Sequence, residues 1–110
     1  MTVDQKLLKP FKKVSIRDLN EHKVEDNSMV WIQGTVKNCK TDFVHIEDAE
    51  NPGFIIRITG GDLGQFQVGK YYQILGEFLR NEIRVVKVVE IELPILKEMW
   101  PLELKDFQRA

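Results

Sequence analysis

The stretch Met29-Val-Trp-Ile-Gln-Gly-Thr-Val36 has a period of two. Val30, Ile32, Gly34 and Val36 fall on one face, and Trp31, Gln33, Thr35 and Lys37 on the other. An apolar residue at every second position marks a half-buried strand. Gly34 in its middle predicts a bulge or a sharp bend, which lets a first strand curl around a small barrel.

The same period returns four times downstream. Phe43–Glu47 puts Phe43, His45 and Glu47 on one face and Val44 and Ile46 on the other. Asp48-Ala-Glu-Asn-Pro-Gly53 is a turn, and its Pro-Gly pair suits a type II turn. Phe54–Thr59 is a third strand. Gly60-Gly-Asp-Leu-Gly64 breaks it and can start a short helix near Leu63 and Phe66. After the turn Val68-Gly-Lys70 comes a fourth strand, Tyr71–Arg80, with Tyr72, Ile74, Gly76 and Phe78 on one face. Ile83–Leu93 is the fifth, and Pro94 ends it.

Upstream, Ser15 followed by Asp18 forms a capping-box pattern and predicts one or two helical turns over 15–22. Residues 1–13 are polar and lysine-rich, with Leu7, Leu8 and Phe11 as their apolar anchors; they read as an arm that orders on docking. Beyond Pro94 the spacing becomes helical. Ile95, Met99 and Leu102 form one stripe; Leu96, Trp100 and Phe107 form a neighbouring one. Pro94 suits a first helical position. Pro101 predicts a kink or two short helices, because an interior proline costs a helix about 3 kcal/mol.

Five strands, a short element between the third and fourth, and a helix after the fifth describe an all-β barrel with helical additions, a five-stranded OB-fold with a C-terminal helix. An SH3-like barrel or an open meander accounts less well for the interruption and the closing helix. The expected plan is an N-terminal arm over 1–13, the barrel over 14–93, and over 94–110 a C-terminal helix for partner packing.

Composition narrows the function. The chain has 110 residues, the size of one domain. Sixteen basic residues nearly balance seventeen acidic ones, whereas a nucleic-acid module usually carries a clear basic excess. One cysteine, Cys39, forms no intrachain disulfide, which fits a reducing compartment. No apolar run approaches the length of a membrane span, so no membrane partner is expected.

The search for catalytic chemistry is nearly empty. His22 and His45 lack partners at metal-ligand spacing. His45 and Glu47 read as a solvated pair on one strand face, and Cys39 as a packing residue without a nearby base. The glycines 60, 61 and 64 match no phosphate-binding motif. No enzyme activity, cofactor or metal is expected. An OB-fold usually grips single strands on its second and third strands and the flanking loops. Here those loops, Lys40-Thr-Asp42 and Arg80-Asn-Glu82, are very short. Phe43 and Arg57 on that face stand beside Glu47, Asp48 and Glu50, which would repel phosphate. Little or no direct nucleic-acid binding is expected.

Protein binding is better supported. Trp31 lies on the polar parity of its strand, so it is either covered by the arm or exposed for a partner. The fifth strand is apolar on both faces, with Val85, Val89 and Ile91 on one and Val86 and Val88 on the other. Lys87 shares the parity of Val85 and Val89 unless a bulge intervenes. The closing helix has two apolar stripes where a surface helix needs one. Either a second chain covers the extra stripe, or Pro101 splits the helix and each half uses one stripe.

Several segments resemble the RecQ-mediated genome instability protein 2 family. They are Val30-Trp-Ile-Gln-Gly-Thr-Val36, Val68-Gly-Lys-Tyr-Tyr-Gln-Ile-Leu-Gly76, Val86-Lys-Val88 and, most specifically, Lys97-Glu-Met-Trp-Pro-Leu-Glu-Leu-Lys-Asp-Phe107. Lys13-Val-Ser-Ile-Arg-Asp-Leu19 resembles the family's segment ahead of the barrel. The resemblance spans roughly residues 12 to 109. It implies a non-catalytic nuclear subunit that heterodimerises with the C-terminal OB domain of RecQ-mediated genome instability protein 1. That pair joins a Bloom-type RecQ helicase to topoisomerase III, a type IA enzyme, in double Holliday junction dissolution, and docks a Fanconi anaemia M-type peptide. The resemblance makes Lys13 a companion-facing lysine and gives Trp31 the place of the family's first-strand tryptophan. It assigns Lys87 and Trp100 to the pair interface or peptide groove, with Met99, Leu104 and Phe107 beside them on the helix. The alternatives from the residues alone are a small OB subunit of a telomere-capping or replication protein A-like complex, and a stand-alone single-strand DNA binder.

Overall fold

The computed structural model describes residues 11–109, with side chains through Lys105. Leu7 and Leu8 of the arm, and the side chain of Phe107, lie outside the described residues. In chain order the elements are β1 (Lys12–Lys13), α1 (Ile16–Asn20), β2 (Ser28–Cys39), β3 (Val44–Asp48), β4 (Ile55–Thr59), a 3-10 turn (Leu63–Gln65), β5 (Tyr71–Leu79), β6 (Glu82–Glu90) and α2 (Pro94–Arg109).

The strand order β2-β3-β4-β6-β5, with β5 returning to β2, closes a five-stranded barrel. Its pairings are antiparallel except for β4 against β6. This is the OB-fold expected from the strand pattern, with one strand added. Lys12 and Lys13, read in the sequence as arm, run parallel to β2 beside Val30 and Trp31.

The alternation of β2 predicts its inner face correctly: Val30, Ile32 and Val36 are buried. They meet Val44 and Ile46, Ile56 and Ile58, Tyr72, Ile74 and Phe78, and Ile83 in one core. Helix α1 buries Ile16 and Leu19 at the edge of that core. Both halves of its capping box are present: Ser15 accepts from the Asp18 amide, and Asp18 accepts from the Ser15 amide. Asp48 ties this end together. Its carboxylate accepts from the amides of Arg17 (2.9 Å), Glu50 (2.8 Å) and Asn51 (3.1 Å), so one buried side chain joins α1, β3 and the following turn.

Two expectations shift by local geometry. The bulge of β2 lies between Val36 and Asn38, not at Gly34. Gly34 serves close approach instead: a Cβ there would drive into the Glu47 carbonyl oxygen and come within 2.5 Å of Ile46 Cγ2. The second bulge is in β6, where the register skips Val86 between Val85 and Lys87. It turns Val85 and Val88 toward the core and sets Lys87 and Val89 across from Leu75 and Gln73. The strict alternation read for the fifth strand fails at that residue.

Helix α2 runs unbroken through Pro101, so of the expected kink or two short helices the second does not occur. Trp100 and Leu104, on either side of the proline, are both buried. Their burial offsets the missing proline hydrogen bond, since a large buried side chain contributes about 1.5–3 kcal/mol.

Gly34→Ala therefore destabilises the barrel by about 2–3 kcal/mol through overpacking. Gly53→Ala, at φ +97° with open space around it, costs only about 1–2 kcal/mol of backbone strain. Urea unfolding of the two variants checks the order; equal losses would contradict close approach at Gly34.

Candidate partner-binding site

Strands β2, β5 and β6 have a second, outer face. Register sets its rows: Trp31–Leu75–Lys87, then Gln33–Gln73–Val89, then Thr35–Tyr71. Helix α2 is tied to the barrel at two points. Lys97 Nζ sits 4.8 Å from the Tyr71 ring centroid, and Glu103 Oε1 accepts from Lys13 Nζ at 3.4 Å. The same Lys13 Nζ lies 4.4 Å from the centroid of the Trp31 ring. Lys13, from the segment ahead of the barrel, thus covers part of the half-buried Trp31.

Between those two contacts Trp100 is 1% exposed, and just past the second Leu104 is buried. One apolar stripe of α2 is thus used within the chain. The other is not: Ile95 and Leu102 are each 62% exposed and Met99 46%. Val86 on the β6 bulge and Leu93 are also exposed. Exposed apolar side chains repeated along one face of a helix in this way mark a contact surface.

Beside the stripe lies a groove of about 360 Å³ between α2 and β6. Val89 and Ile91 form one wall, Leu96 and Met99 the other, and Gln33 and Gln73 the floor. The floor is a hydrogen-bonded series. Tyr71 Oη donates to Gln33 Oε1 at 2.9 Å, and Gln33 Nε2 donates to Gln73 Oε1 at 3.3 Å. Burial, and the negative charge of Asp48, Glu50 and Glu103, push the Tyr71 phenol well above its ordinary pKa. It stays a donor at neutral pH.

The face that OB-folds usually use for single strands is engaged with itself. Phe43 and His45 rings lie 4.9 Å apart. The Arg57 guanidinium sits 4.4 Å from the Phe43 ring centroid and reaches Glu82 at 3.5 Å. Glu47 meets Lys37 at 3.7 Å. The Arg57–Phe43 pair of this face is thus stacked together. Among the described residues no three His, Cys, Asp or Glu side chains group to hold a metal ion, and no helix is long and apolar enough to cross a membrane.

The residues singled out in the sequence divide into two sets. Lys13, Trp31, Trp100 and Leu104 belong to the clamp that holds α2 to its own barrel. Lys87 and Met99 are exposed, and Phe107 lies outside the described side chains. The sequence reading missed the Gln33–Gln73–Tyr71 series. Gln33 and Gln73 both sit on the non-core parity, but the register that puts them side by side is not visible in either strand alone.

No protein-family model and no curated protein matches the sequence. Solved structures do match the fold. A chain of the S. pombe Stn1–Ten1 complex aligns with a TM-score of 0.67 and 17% identity, covering 88% of this chain and 94% of that one. The telomere-capping protein Ten1 from S. pombe aligns at 0.66 and 16%, covering 87% and 99%. U. maydis replication protein A, solved bound to single-stranded DNA, aligns at 0.62 and 12%, covering 88% and 92%. At these identities the likeness establishes the class: a closed five-stranded OB barrel with a C-terminal helix.

Trp100→Ala removes the anchor of α2 and costs about 3–5 kcal/mol. Limited proteolysis then cuts within residues 94–109 before the barrel; uniform protection would contradict the anchoring role. Tyr71→Phe leaves the buried Gln33 oxygen unpaired and costs about 1–3 kcal/mol at neutral pH. The raised phenol holds its proton in the folded state, so its stabilisation is full below pH 10 and declines above it. Urea midpoints of Tyr71→Phe therefore fall less steeply above pH 10 than those of the unsubstituted chain.

Proposed function

We propose that this chain is a non-catalytic small OB subunit of a heteromeric genome-maintenance complex of the telomere-capping or replication protein A type, and that it works in the nucleus. It pairs with a second OB-fold chain through the outer stripe of α2. The observation that carries the reading is that stripe: Ile95, Met99 and Leu102 stay exposed on a helix whose other stripe is already anchored. An amphipathic surface helix has one apolar face, and a second one calls for a partner. The Stn1–Ten1 and replication protein A likenesses support the choice of partner class, since the former is a complex of two proteins.

On this reading the barrel is a scaffold and the partner carries most contact with single strands. The near-zero net charge and the self-stacked Arg57–Phe43 pair support that division. A second reading is the subunit that pairs with RecQ-mediated genome instability protein 1 beside a Bloom-type helicase and topoisomerase III. Its support is the Lys97–Phe107 pattern, and the pairing helix would be the same. The identity of the chain that co-purifies decides between the two.

Purification of the tagged chain from its native cells recovers a second OB-fold protein in equal amount. Replacing Met99 and Leu102 together by Glu weakens that pairing by roughly 100-fold or more, while the urea midpoint stays within about 0.5 kcal/mol, as for other exposed sites. A stable monomer with no OB partner would overturn the reading. So would tight oligonucleotide binding by the chain alone that weakens steeply with salt.

A further inference from the structure

Closing a sheet into a barrel removes its free edges, but the added strand β1 brings one back. The parallel register sets Lys12 beside Val30 and Lys13 beside Trp31, and the Val14 amide donates to the Trp31 carbonyl at 3.1 Å. In a parallel ladder that combination gives the amide and carbonyl of Lys12 to β2 and turns those of Lys13 away from it.

A cavity of about 520 Å³ adjoins this edge. Lys12, Lys13 and Val14 line it from β1, Asp18 from α1, and Lys23, Val24 and Glu25 from the loop that follows. Neither the amide nor the carbonyl of Val24 is bonded to another backbone group among the described residues. Two stretches of backbone with open groups, at Lys13 and Val24, therefore border one cavity. The ammonium groups of Lys12, Lys13 and Lys23 outnumber the carboxylates of Asp18 and Glu25 around it. Asp18 is committed to the cap of α1. Lys13 is held by Glu103 and Lys23 by Glu21. Lys12 is exposed and has no ion-pair partner among the described residues.

We infer that this cavity takes an extended acidic segment of another protein. The segment adds as a strand to the Lys13 edge, sets a carboxylate beside Lys12 and rests an apolar side chain against Val24. A helix spends its backbone groups on itself, and a phosphate backbone offers the Lys13 carbonyl no donor. Residues 1–10 of the chain itself carry Lys6 and Lys9 against Asp4, the wrong balance for Lys12. The inference is independent of the pairing through α2.

Three synthetic peptides of alternating valine and threonine, with a central glutamate, glutamine or lysine, test it against the isotope-labelled full chain. In NMR titrations at low salt the glutamate peptide binds roughly fivefold to tenfold more tightly than the glutamine one, and the lysine one is weakest. The backbone amides of Lys13 and Val24 shift and gain protection from hydrogen exchange. Lys12→Glu reverses the order, so that the lysine peptide binds best, and leaves the urea midpoint unchanged. Equal binding by the three peptides, no binding, an order that survives Lys12→Glu, or an unmoved Lys13 amide overturns the inference. So does displacement of the glutamate peptide by an oligothymidylate. A Lys13 amide already protected in the free chain also overturns it: the edge is then filled by residues 1–10 or, where protection rises with protein concentration, by a second copy.

Discussion

Burial of Trp100 against the chain's own barrel decides which side of α2 is left for the outside. The indole is nearly inaccessible, although Pro101 follows it in the middle of a helix. Two flanking contacts fix the helix direction: Lys97 over Tyr71 and Glu103 to Lys13. With the inward stripe so fixed, Ile95, Met99 and Leu102 have no partner within the described residues. The groove beside β6 exists for the same reason, since the helix lies to one side of the outer face and leaves Val89 and Gln73 uncovered.

Lys13 links this clamp to the segment ahead of the barrel. Its ammonium lies over Trp31 while bonding Glu103, so β1, β2 and α2 meet at one charge. A partly exposed ion pair of this kind contributes little by itself, about 0–1 kcal/mol. Its effect is orientation: it aligns the last turns of α2 with β1, where Leu104 is buried.

The barrel was legible because each strand carries its own period. Val30, Ile32 and Val36, or Tyr72, Ile74 and Phe78, need no knowledge of their neighbours to be placed inside. The bulges at Lys37 and Val86 were not legible, because they are set by how two strands meet rather than by either one. At Gly34 the expected bulge is absent, and the missing side chain admits the β3 backbone, a device that β2 alone does not reveal. The Gln33–Gln73–Tyr71 series escaped for the same reason as the bulges. The free stripe of α2 was visible as helical spacing, but which stripe was free depended on Trp100.

The two faces of the barrel now differ in kind. On the β3–β4 face, charges and rings satisfy one another through Arg57, Phe43, Glu82 and Glu47. On the α2 face, the apolar side chains of Ile95, Met99 and Leu102 remain exposed. The central claim is that the open face meets another OB-fold chain, and site-specific photocrosslinking reads it most directly. With benzoylphenylalanine in place of Leu102, irradiation of cells expressing the full chain should yield one dominant adduct, with an OB-fold protein. Crosslinking to nucleic acid, to unrelated proteins without preference, or to nothing would contradict the account.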